Sequence, residues 1–234
     1  MTQGRNESRR DDVRRMFGRI APRYDLLNRL MTFGQDQRWR KAMITKLCLP
    51  PKSFVLDLGA GTGDLAFEAL QQHPDAFVIA ADLTPEMILH GKQRDDGRRV
   101  QWIIADADHL PFDSGAFDAV VSGFLLRNLQ NLDRSLTEQV RVLRDHGQWS
   151  AMDTTPPANG VLKPFIRLYL HFVIPLLGTL IAGDGDAYRY LPQSTEHFLR
   201  PKALLERLRC AGIIEEGFRQ RMFGSIALYH GHKS

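Results

Sequence analysis

Residues 55–64 read Val-Leu-Asp-Leu-Gly-Ala-Gly-Thr-Gly-Asp, and the apolar run at 77–81 is followed by a lone acid, Asp82. This order predicts a buried strand, a glycine turn that opens a helix, and a second strand that ends in a carboxylate. The turn would let the backbone approach a ligand closely, and the carboxylate could bind the two hydroxyls of a ribose. Together the two features predict a binding site for a nucleoside.

The spacing of the glycines indicates which nucleoside. A dinucleotide fingerprint has Gly-x-Gly-x-x-Gly, whereas here the glycines alternate and Asp64 stands at the third required position. A carboxylate there would repel a pyrophosphate but could receive the ammonium group of an amino acid. S-adenosylmethionine combines a ribose, an adenine and an amino-acid tail, so the motif predicts a class I methyltransferase. A purely structural turn would leave Asp64 and Asp82 unexplained. The residues assigned to the cofactor on this basis are Asp57, Gly59, Gly61, Gly63, Asp64 and Asp82.

Composition limits the classes of protein to which the chain can belong. Its 234 residues suffice for one α/β domain with an elaborated cap or for two small domains. A content of 43% hydrophobic and 25% charged residues is typical of a soluble globular protein. Cys48 and Cys210 lie in unrelated apolar segments without metal-ligand spacing. They predict two buried thiols in a reducing compartment, with no disulfide and no metal site.

Strand and helix patterns alternate through the middle of the chain, which predicts an α/β fold with a Rossmann-like, doubly wound sheet. The expected strands are 54–58, 77–81, 100–105, 117–123 and 148–153, and the expected helices between them are 65–72, 85–94 and 132–143. We divide the chain into a helical leader (1–50), a cofactor-binding core (51–155), a helical cap insertion (156–200) and a C-terminal completion of the sheet (201–234). Ligands bind outside the carboxyl ends of such strands, so a cap there would cover a substrate pocket.

The leader is helical and basic. Val13, Phe17, Ile20 and Tyr24 recur at helical spacing and predict one helix, and residues 37–47 predict a second. The net charge of the chain is +4, and arginines of the leader supply much of the basic excess. These arginines are Arg5, Arg9, Arg10, Arg14, Arg15, Arg19 and Arg23. By themselves they leave open a solvated helix face, an anionic membrane surface and nucleic acid.

The most apolar stretch of the chain is 161–182, which contains Lys163, Pro164 and Arg167. Its charge-free portion is too short to cross a bilayer, and no apolar segment follows the N-terminal arginines as it would in a signal peptide. We therefore expect a cytoplasmic protein that is soluble or attached to the membrane surface.

Polar residues follow the third and fourth expected strands. Asp106 and Ala107 come directly after the third strand, where a carboxylate can accept the adenine amino group and the backbone can lie beside the ring. Arg127 and Asn128 follow the fourth strand, at the mouth of the same cleft. Their place predicts a role in the reaction, with an ordinary surface ion pair of Arg127 as the open alternative.

Three longer segments are more specific than the glycine turn. They are FGRIAPRYDLLN at 17–28 with LMTFG at 30–34 and RWR at 38–40, FLLRNL at 124–129, and DAYRYL at 186–191 with Ser194. They resemble the leader, the Phe-Gly-Leu-Arg-Asn-Val signature and the Tyr-x-Tyr-Leu-x-x-Ser element of the ubiquinone/menaquinone biosynthesis C-methyltransferases. The likeness extends from about Val13 to Lys233.

The resemblance implies that a methyl group passes from S-adenosylmethionine to a ring carbon of a reduced polyprenyl quinol. It adds Thr62 and Ser122 to the cofactor residues by motif. In that reaction Arg127 would stabilise a phenolate, while Asn128 and Tyr188 would orient the ring through hydrogen bonds.

Two positions depart from the family pattern. Leu125 replaces the signature glycine, which could narrow the cleft, and Asp153 stands where a glutamate is common. The favoured substrate is demethylmenaquinol, and the alternatives are a benzoquinol, another lipophilic acceptor, and a cofactor-binding subunit without activity of its own. The expected partners are the quinol and the membrane surface, with a homodimer left open and no nucleic acid.

Overall fold

A seven-stranded sheet forms the centre of the described structure. The computed structural model describes the backbone of residues 2–157, 163–182 and 185–234, and the side chains of 11–157, 164–181, 190–214 and 216–234. The strands are β1 (Phe54–Leu58), β2 (Phe77–Asp82), β3 (Gln101–Ile104), β4 (Phe117–Gly123), β5 (Leu143–Thr154), β6 (Ile213–Arg221) and β7 (Ile226–Lys233). Their order is β3-β2-β1-β4-β5-β7-β6, with β7 antiparallel to both of its neighbours. The doubly wound sheet predicted from the sequence is therefore present.

Helices cover both faces of this sheet and the edge at which the parallel strands end. They are α1 (Thr2–Ile20), α2 (Tyr24–Met31), α3 (Gln35–Thr45), α4 (Asp64–Gln72), α5 (Pro85–Lys92), α6 (Leu132–Val142), α7 (Lys163–Leu168), α8 (Ile174–Leu177), α9 (Gly185–His197) and α10 (Pro201–Ala211). The π turn Tyr169–Val173 joins α7 to α8, and a second π turn, Gly178–Ala182, extends α8. Together they form one rod at residues 163–182, here called the cap helix.

The leader is divided between the sheet and the cap. Trp39 and Met43 of α3 are buried in the hydrophobic cluster on one face of the sheet. Met16 of α1 and Leu27 of α2 are instead buried in a separate cluster with Leu170 of the cap helix. Thus α3 belongs to the core, while α1 and α2 pack with the insertion beyond the sheet edge.

Two element boundaries differ markedly from those expected. The first helix ends at Ile20 and Tyr24 begins a new one, because Pro22 lies in a 3₁₀ turn between them. Strand β5 begins at Leu143 directly after α6, through an irregularity in its pairing with β4, rather than at Gln148. Both cysteines are free but exposed, so the prediction of buried thiols was wrong.

One helical stretch among the described residues, Pro164–Ile181, is long and apolar enough in composition to cross a membrane. Its mean hydropathy is 1.6, although Arg167 lies within it. We expected the charge-free portion of this stretch to be too short to cross a bilayer. That criterion was too strict, because a hydrophobic helix can continue through a single charged side chain.

Candidate active site

The glycine turn after β1 is held by the acid at the end of β2. Gly59 and Gly61 have φ values of +66° and +57°, in the left-handed region that residues with a Cβ rarely occupy. The amide of Gly61 donates to Asp82 Oδ2 and the amide of Thr84 donates to Asp82 Oδ1, both at 2.8 Å. Burial raises the pKa of the Asp82 carboxyl, against the opposing effect of these amides. Asp82 thus fixes the turn and also lines the cavity above it.

That cavity, here called the turn cavity, has a volume of about 120 Å³. It brings together the turn, the end of β2 and the segment after β3, as the sequence predicted. The predicted cofactor residues in its lining are Gly59, Gly61, Asp82, Asp106 and Ala107. Leu125 also lines it, and a Cβ at Gly59 would lie 2.7 Å from the Leu125 side chain. The leucine that replaces the family glycine therefore packs directly over the turn.

A small extension of about 20 Å³ lies beside the turn and contains Asp57, Thr62 and Asp64. Asp57 is 1% exposed, and its Oδ2 accepts a hydrogen bond from the Ala66 amide at 2.9 Å. Within the described part of the chain its Oδ1 has no hydrogen-bond partner. Burial raises the pKa of the Asp57 carboxyl to about 7. An unpaired, buried carboxylate oxygen of this kind suits an ammonium group.

Asp64, the residue predicted to receive an ammonium group, is engaged by arginines instead. Its carboxylate lies 2.7 Å from Arg94 Nη1 and 3.6 Å from Arg40 Nη1. Burial alone would raise the pKa of this carboxyl, but Arg40 and Arg94 outweigh it and the pKa is lowered. Asp57 is therefore the better candidate for the ammonium group.

The raised pKa of Asp57 gives a prediction for the stability of the Asp57→Asn variant in the unbound protein. Because the folded pKa is raised from 3.8 to about 7, the carboxyl stabilises the fold fully below about pH 4, and this contribution is lost as the pH rises towards 7. The stability of the variant relative to wild type should thus increase between about pH 4 and 7 and level off above it, by up to on the order of 4 kcal/mol. Urea unfolding over this pH range measures the difference.

Asp145→Asn is the matched control, since Asp145 is 84% exposed and lies at the start of β5, away from the turn. This variant keeps the buried Asp57, so its unfolding should retain the pH dependence that Asp57 gives to wild type. Parallel curves for wild type and Asp57→Asn would show that Asp57 does not titrate in this way.

The remaining predicted cofactor residues, which are Thr62, Gly63 and Ser122, are surrounded by other groups of the protein. The Thr62 hydroxyl donates to Asp25 Oδ1 at 2.5 Å, which joins α2 to the turn. A Cβ at Gly63 would lie 2.6 Å from the Trp102 ring, so close packing requires a glycine there. Ser122 is buried in β4, and its Oγ has no hydrogen-bond partner among the described residues. Direct contact of these three with the cofactor stays a prediction.

A second and larger cavity, of about 290 Å³, lies under the cap. Its lining is mainly apolar and comes from α1, α2, the cap helix, α9 and the turn between β6 and β7; we call it the apolar cavity. The side chains Phe17, Tyr24 and Phe124 line both this cavity and the turn cavity. Tyr24 and Asn28 both line the apolar cavity, and burial raises the pKa of the Tyr24 hydroxyl. The two cavities therefore adjoin across a thin aromatic layer.

Arg127 lines the apolar cavity and is 7% exposed. Its Nη1 donates to Asp153 Oδ1 at 2.6 Å, and its backbone amide donates to Asp153 Oδ2 at 3.0 Å. Among the described residues its Nε has no partner. The alternative of a surface ion pair was therefore wrong, because Asp153 is completely buried. The structure instead holds a buried guanidinium group at an apolar wall.

Asn128 is fixed by two partners. Its Nδ2 donates to the Phe124 carbonyl at 2.9 Å, and its Oδ1 accepts from the Tyr190 hydroxyl at 3.2 Å. Tyr190 lines the apolar cavity, while Asn128 lines the turn cavity. The side chain of Tyr188, predicted to orient the ring, lies outside the described residues.

Sequence reasoning missed Asn28, Tyr190 and the pairing of Asp153 with Arg127. Tyr190 belongs to the same Tyr-x-Tyr element as Tyr188, so the motif contained the signal without indicating which tyrosine reaches the site. Asp153 was recognised only as a departure from the family pattern. Its 26-residue separation from Arg127 gives no local signal of contact.

Comparison with known proteins shows the family to which the chain belongs. The model of the ubiE/COQ5 methyltransferase family matches residues 2–233. The ubiquinone/menaquinone biosynthesis C-methyltransferase UbiE of Desulfotalea psychrophila is 41% identical over 221 residues, which cover 94% of this chain and 90% of that protein. The demethylmenaquinone methyltransferase of Thermus thermophilus is 40% identical over 220 residues, which cover 93% of this chain and 100% of that protein.

A solved structure also shares the fold. It is a SAM-dependent methyltransferase of Thermotoga maritima, described as a possible histamine N-methyltransferase, with a TM-score of 0.65 at 16% identity. The match covers 95% of this chain and 100% of that chain. This likeness confirms the fold class predicted from the sequence.

Proposed function

Because the chain belongs to the ubiE/COQ5 methyltransferase family, we propose that it methylates a ring carbon of a polyprenyl quinol, and that this quinol is demethylmenaquinol. Family membership makes the chain an S-adenosylmethionine-dependent C-methyltransferase, which sets aside a subunit without activity. Relatives named for ubiquinone and menaquinone biosynthesis support a quinone as the class of acceptor. Methylation of a benzoquinol is the first alternative, and another lipophilic acceptor is the second.

The observation that carries the proposal is the apolar cavity, which adjoins the turn cavity and has the buried Arg127 in its wall. Its volume of about 290 Å³ lies near the lower limit of the roughly 300–1,000 Å³ usual for small-molecule sites. A ring system can fill such a space, while a long prenyl tail would have to extend out of it. An apolar pocket beside a nucleoside-binding turn suits a lipophilic acceptor for a methyl group.

The residues of the turn cavity and its extension suit the cofactor. Asp82 would bind the ribose hydroxyls, Asp57 Oδ1 the ammonium group, and Asp106 with Ala107 the adenine. The unpaired Asp57 oxygen and the side-chain-free surface of Gly61 support this assignment. S-adenosylmethionine supplies a methyl group on a positively charged sulfur when it is bound.

The chain's own contribution to the reaction would be to activate and align the ring. A phenolic ring is nucleophilic at carbon chiefly when its hydroxyl has lost its proton. Water would accept that proton and the proton that the ring carbon loses when the methyl group replaces it. An arginine side chain is not a general base near neutral pH, but the guanidinium N–H donors of Arg127 can bind a phenolate oxygen in a water-poor cavity. Asp153 holds the guanidinium in place, and the hydrogen-bonded pair of Asn128 and Tyr190 limits the positions open to the ring.

Quinones extracted from a strain that lacks this gene test the proposal. We expect the precursor without one ring methyl to accumulate, because no other step would add that methyl. A plasmid carrying the wild-type gene should restore the normal quinone. Mass spectrometry, together with chromatographic retention times compared with those of naphthoquinone and benzoquinone standards, identifies the ring. An unchanged quinone profile in a strain without a paralogue would contradict the proposal.

The proposal extends to location and partners. A polyprenyl tail is insoluble in water, so we expect a cytoplasmic enzyme that contacts the membrane surface to reach its substrate. Assembly as a homodimer stays a prediction.

A further inference from the structure

The outward face of the cap helix is apolar. Its exposed side chains, here called the apolar stripe, are Phe165, Leu168, Phe172, Val173, Leu176 and Leu180. They are between 39% and 73% exposed and recur mostly every three or four residues, the spacing of one helix face. On the opposite face, Leu170 and Ile174 are buried in the same cluster as Met16 and Ile20 of α1. The cap helix therefore has one face packed against the protein and one apolar face without a partner among the described residues.

The two π turns help to keep the stripe on one side. Positions four apart in an α-helix are rotated by about 40°, so a long row of them winds around the axis. A π turn closes its hydrogen bond one residue later and so brings such positions closer into line. Leu168, Phe172 and Leu176 follow one another at intervals of four across the first π turn. The deviation from α-helical geometry thus favours a flat apolar surface.

The mouth of the apolar cavity lies beside this stripe. Phe33, Phe165 and Phe223 line the cavity and are nevertheless 72%, 67% and 73% exposed, so they form its rim. Phe33 and Phe223 both have a φ of 54°, which is rare for a residue with a bulky side chain. Phe165 belongs to the rim and to the stripe, so the two surfaces are continuous.

We propose that the apolar stripe lies on a lipid bilayer, with the phenylalanine rim facing the acyl chains, and that the quinol enters the apolar cavity directly from the membrane. This inference rests on the proposed function, since it takes a polyprenyl quinol as the substrate. A protein partner or a second copy of the chain on the stripe would cover the rim. A bilayer instead receives the tail that the cavity is too small to hold.

The cap helix lies along the bilayer surface and does not cross it. Spanning would expose Leu170 and Ile174 to lipid and would remove them from the cluster they share with α1. Arg167 Nε and His171 Nε2 both contact Glu196 Oε1 of α9, at 3.3 and 3.2 Å. These contacts hold one side of the helix to the protein, which is the arrangement of an interfacial helix.

Charge adds to this attachment. The leader packs against the cap helix through α1 and contains the exposed Arg15, Arg19 and Arg23, of which Arg15 is paired with Asp12. Basic side chains near a membrane surface are attracted to anionic lipids, and salt screens that attraction. Apolar insertion is far less sensitive to salt, so the two contributions can be separated.

Vesicle flotation of the full chain tests the inference. We compare wild type with Leu168→Gln/Leu176→Gln, which alters stripe residues outside the cavity lining, on vesicles with and without anionic lipid. Wild-type binding should persist in 1 M salt, where the Debye length is about 3 Å, and the variant should bind roughly tenfold more weakly or worse. Leu89→Gln/Ile104→Gln is the matched control, because Leu89 and Ile104 are each 57% exposed, against 55% for Leu168 and 58% for Leu176.

Methylation assays distinguish a failure of this inference from a failure of the proposed function. The stripe variant should methylate a short-tailed, water-soluble quinol as fast as wild type does, but should lose roughly tenfold in rate on a polyprenyl quinol held in vesicles. The inference would be overturned if the stripe variant bound vesicles as tightly as wild type does, or if salt abolished the binding of wild type. Either result would leave the proposed function intact. A stripe that keeps two copies together, seen as a dimer that Leu168→Gln/Leu176→Gln converts to a monomer in sedimentation, would also overturn it. If wild type binds vesicles but methylates neither quinol, the proposed function fails instead.

Discussion

Asp82→Ala should lower the affinity for S-adenosylmethionine by roughly a hundredfold or more. Two ribose hydroxyls would lose a charged acceptor, and hydrogen bonds to charged groups contribute about 1.5–3 kcal/mol each, with each 1.4 kcal/mol equal to about a factor of ten. The structure adds a second cause. The amides of Gly61 and Thr84 would lose their common acceptor, so the glycine turn would no longer be held in its binding conformation. Isothermal titration calorimetry measures the change.

Asp145→Asn serves as the control for this measurement too, since it removes an exposed carboxylate at the other end of the sheet. Its affinity should equal that of wild type. Far-UV circular dichroism should show that Asp82→Ala retains the fold. Unchanged affinity in a folded Asp82→Ala protein would remove Asp82 from the binding site.

Arg127→Lys should reduce kcat by about 10²–10³ while leaving the affinity for S-adenosylmethionine nearly unchanged. Loss of one donor to a developing oxyanion has an effect of this size, and lysine cannot place a second nitrogen where Nε lies. Lysine keeps a positive charge opposite the buried Asp153, so the variant should fold. A neutral residue would leave that carboxylate uncompensated at a cost of about 3–5 kcal/mol. Single-turnover methylation of a short-tailed quinol measures the rate.

Arg144→Lys is the matched control, because Arg144 also pairs with an aspartate, Asp118, but is 46% exposed and lies outside the lining of both cavities. It should keep the wild-type kcat. An Arg127→Lys enzyme with normal kcat and raised KM would assign Arg127 to binding of the quinol rather than to stabilisation of charge in the reaction.

Local chemistry made the turn and the sheet predictable. Left-handed backbone at Gly59 and Gly61 needs residues without a Cβ, and a buried strand before the turn needs a short apolar run. These requirements act over a few residues, so β1 and β4 were predicted with their observed bounds. The place of Arg127 and Asn128 after the fourth strand indicated a role in the site, and resemblance to a family specified that role, but neither showed what these side chains contact.

The sequence by itself thus determined the fold class, the cofactor and the segments that surround it, because each depends on periodicity or on turn chemistry within one segment. Only the tertiary structure decided that Asp64 pairs with arginines while Asp57 keeps an unpaired oxygen, and that Tyr24 lies between the two cavities. It also decided which apolar side chains of the cap helix are buried and which face outward. Such properties depend on neighbours that packing brings from distant parts of the chain, so the local sequence does not specify them.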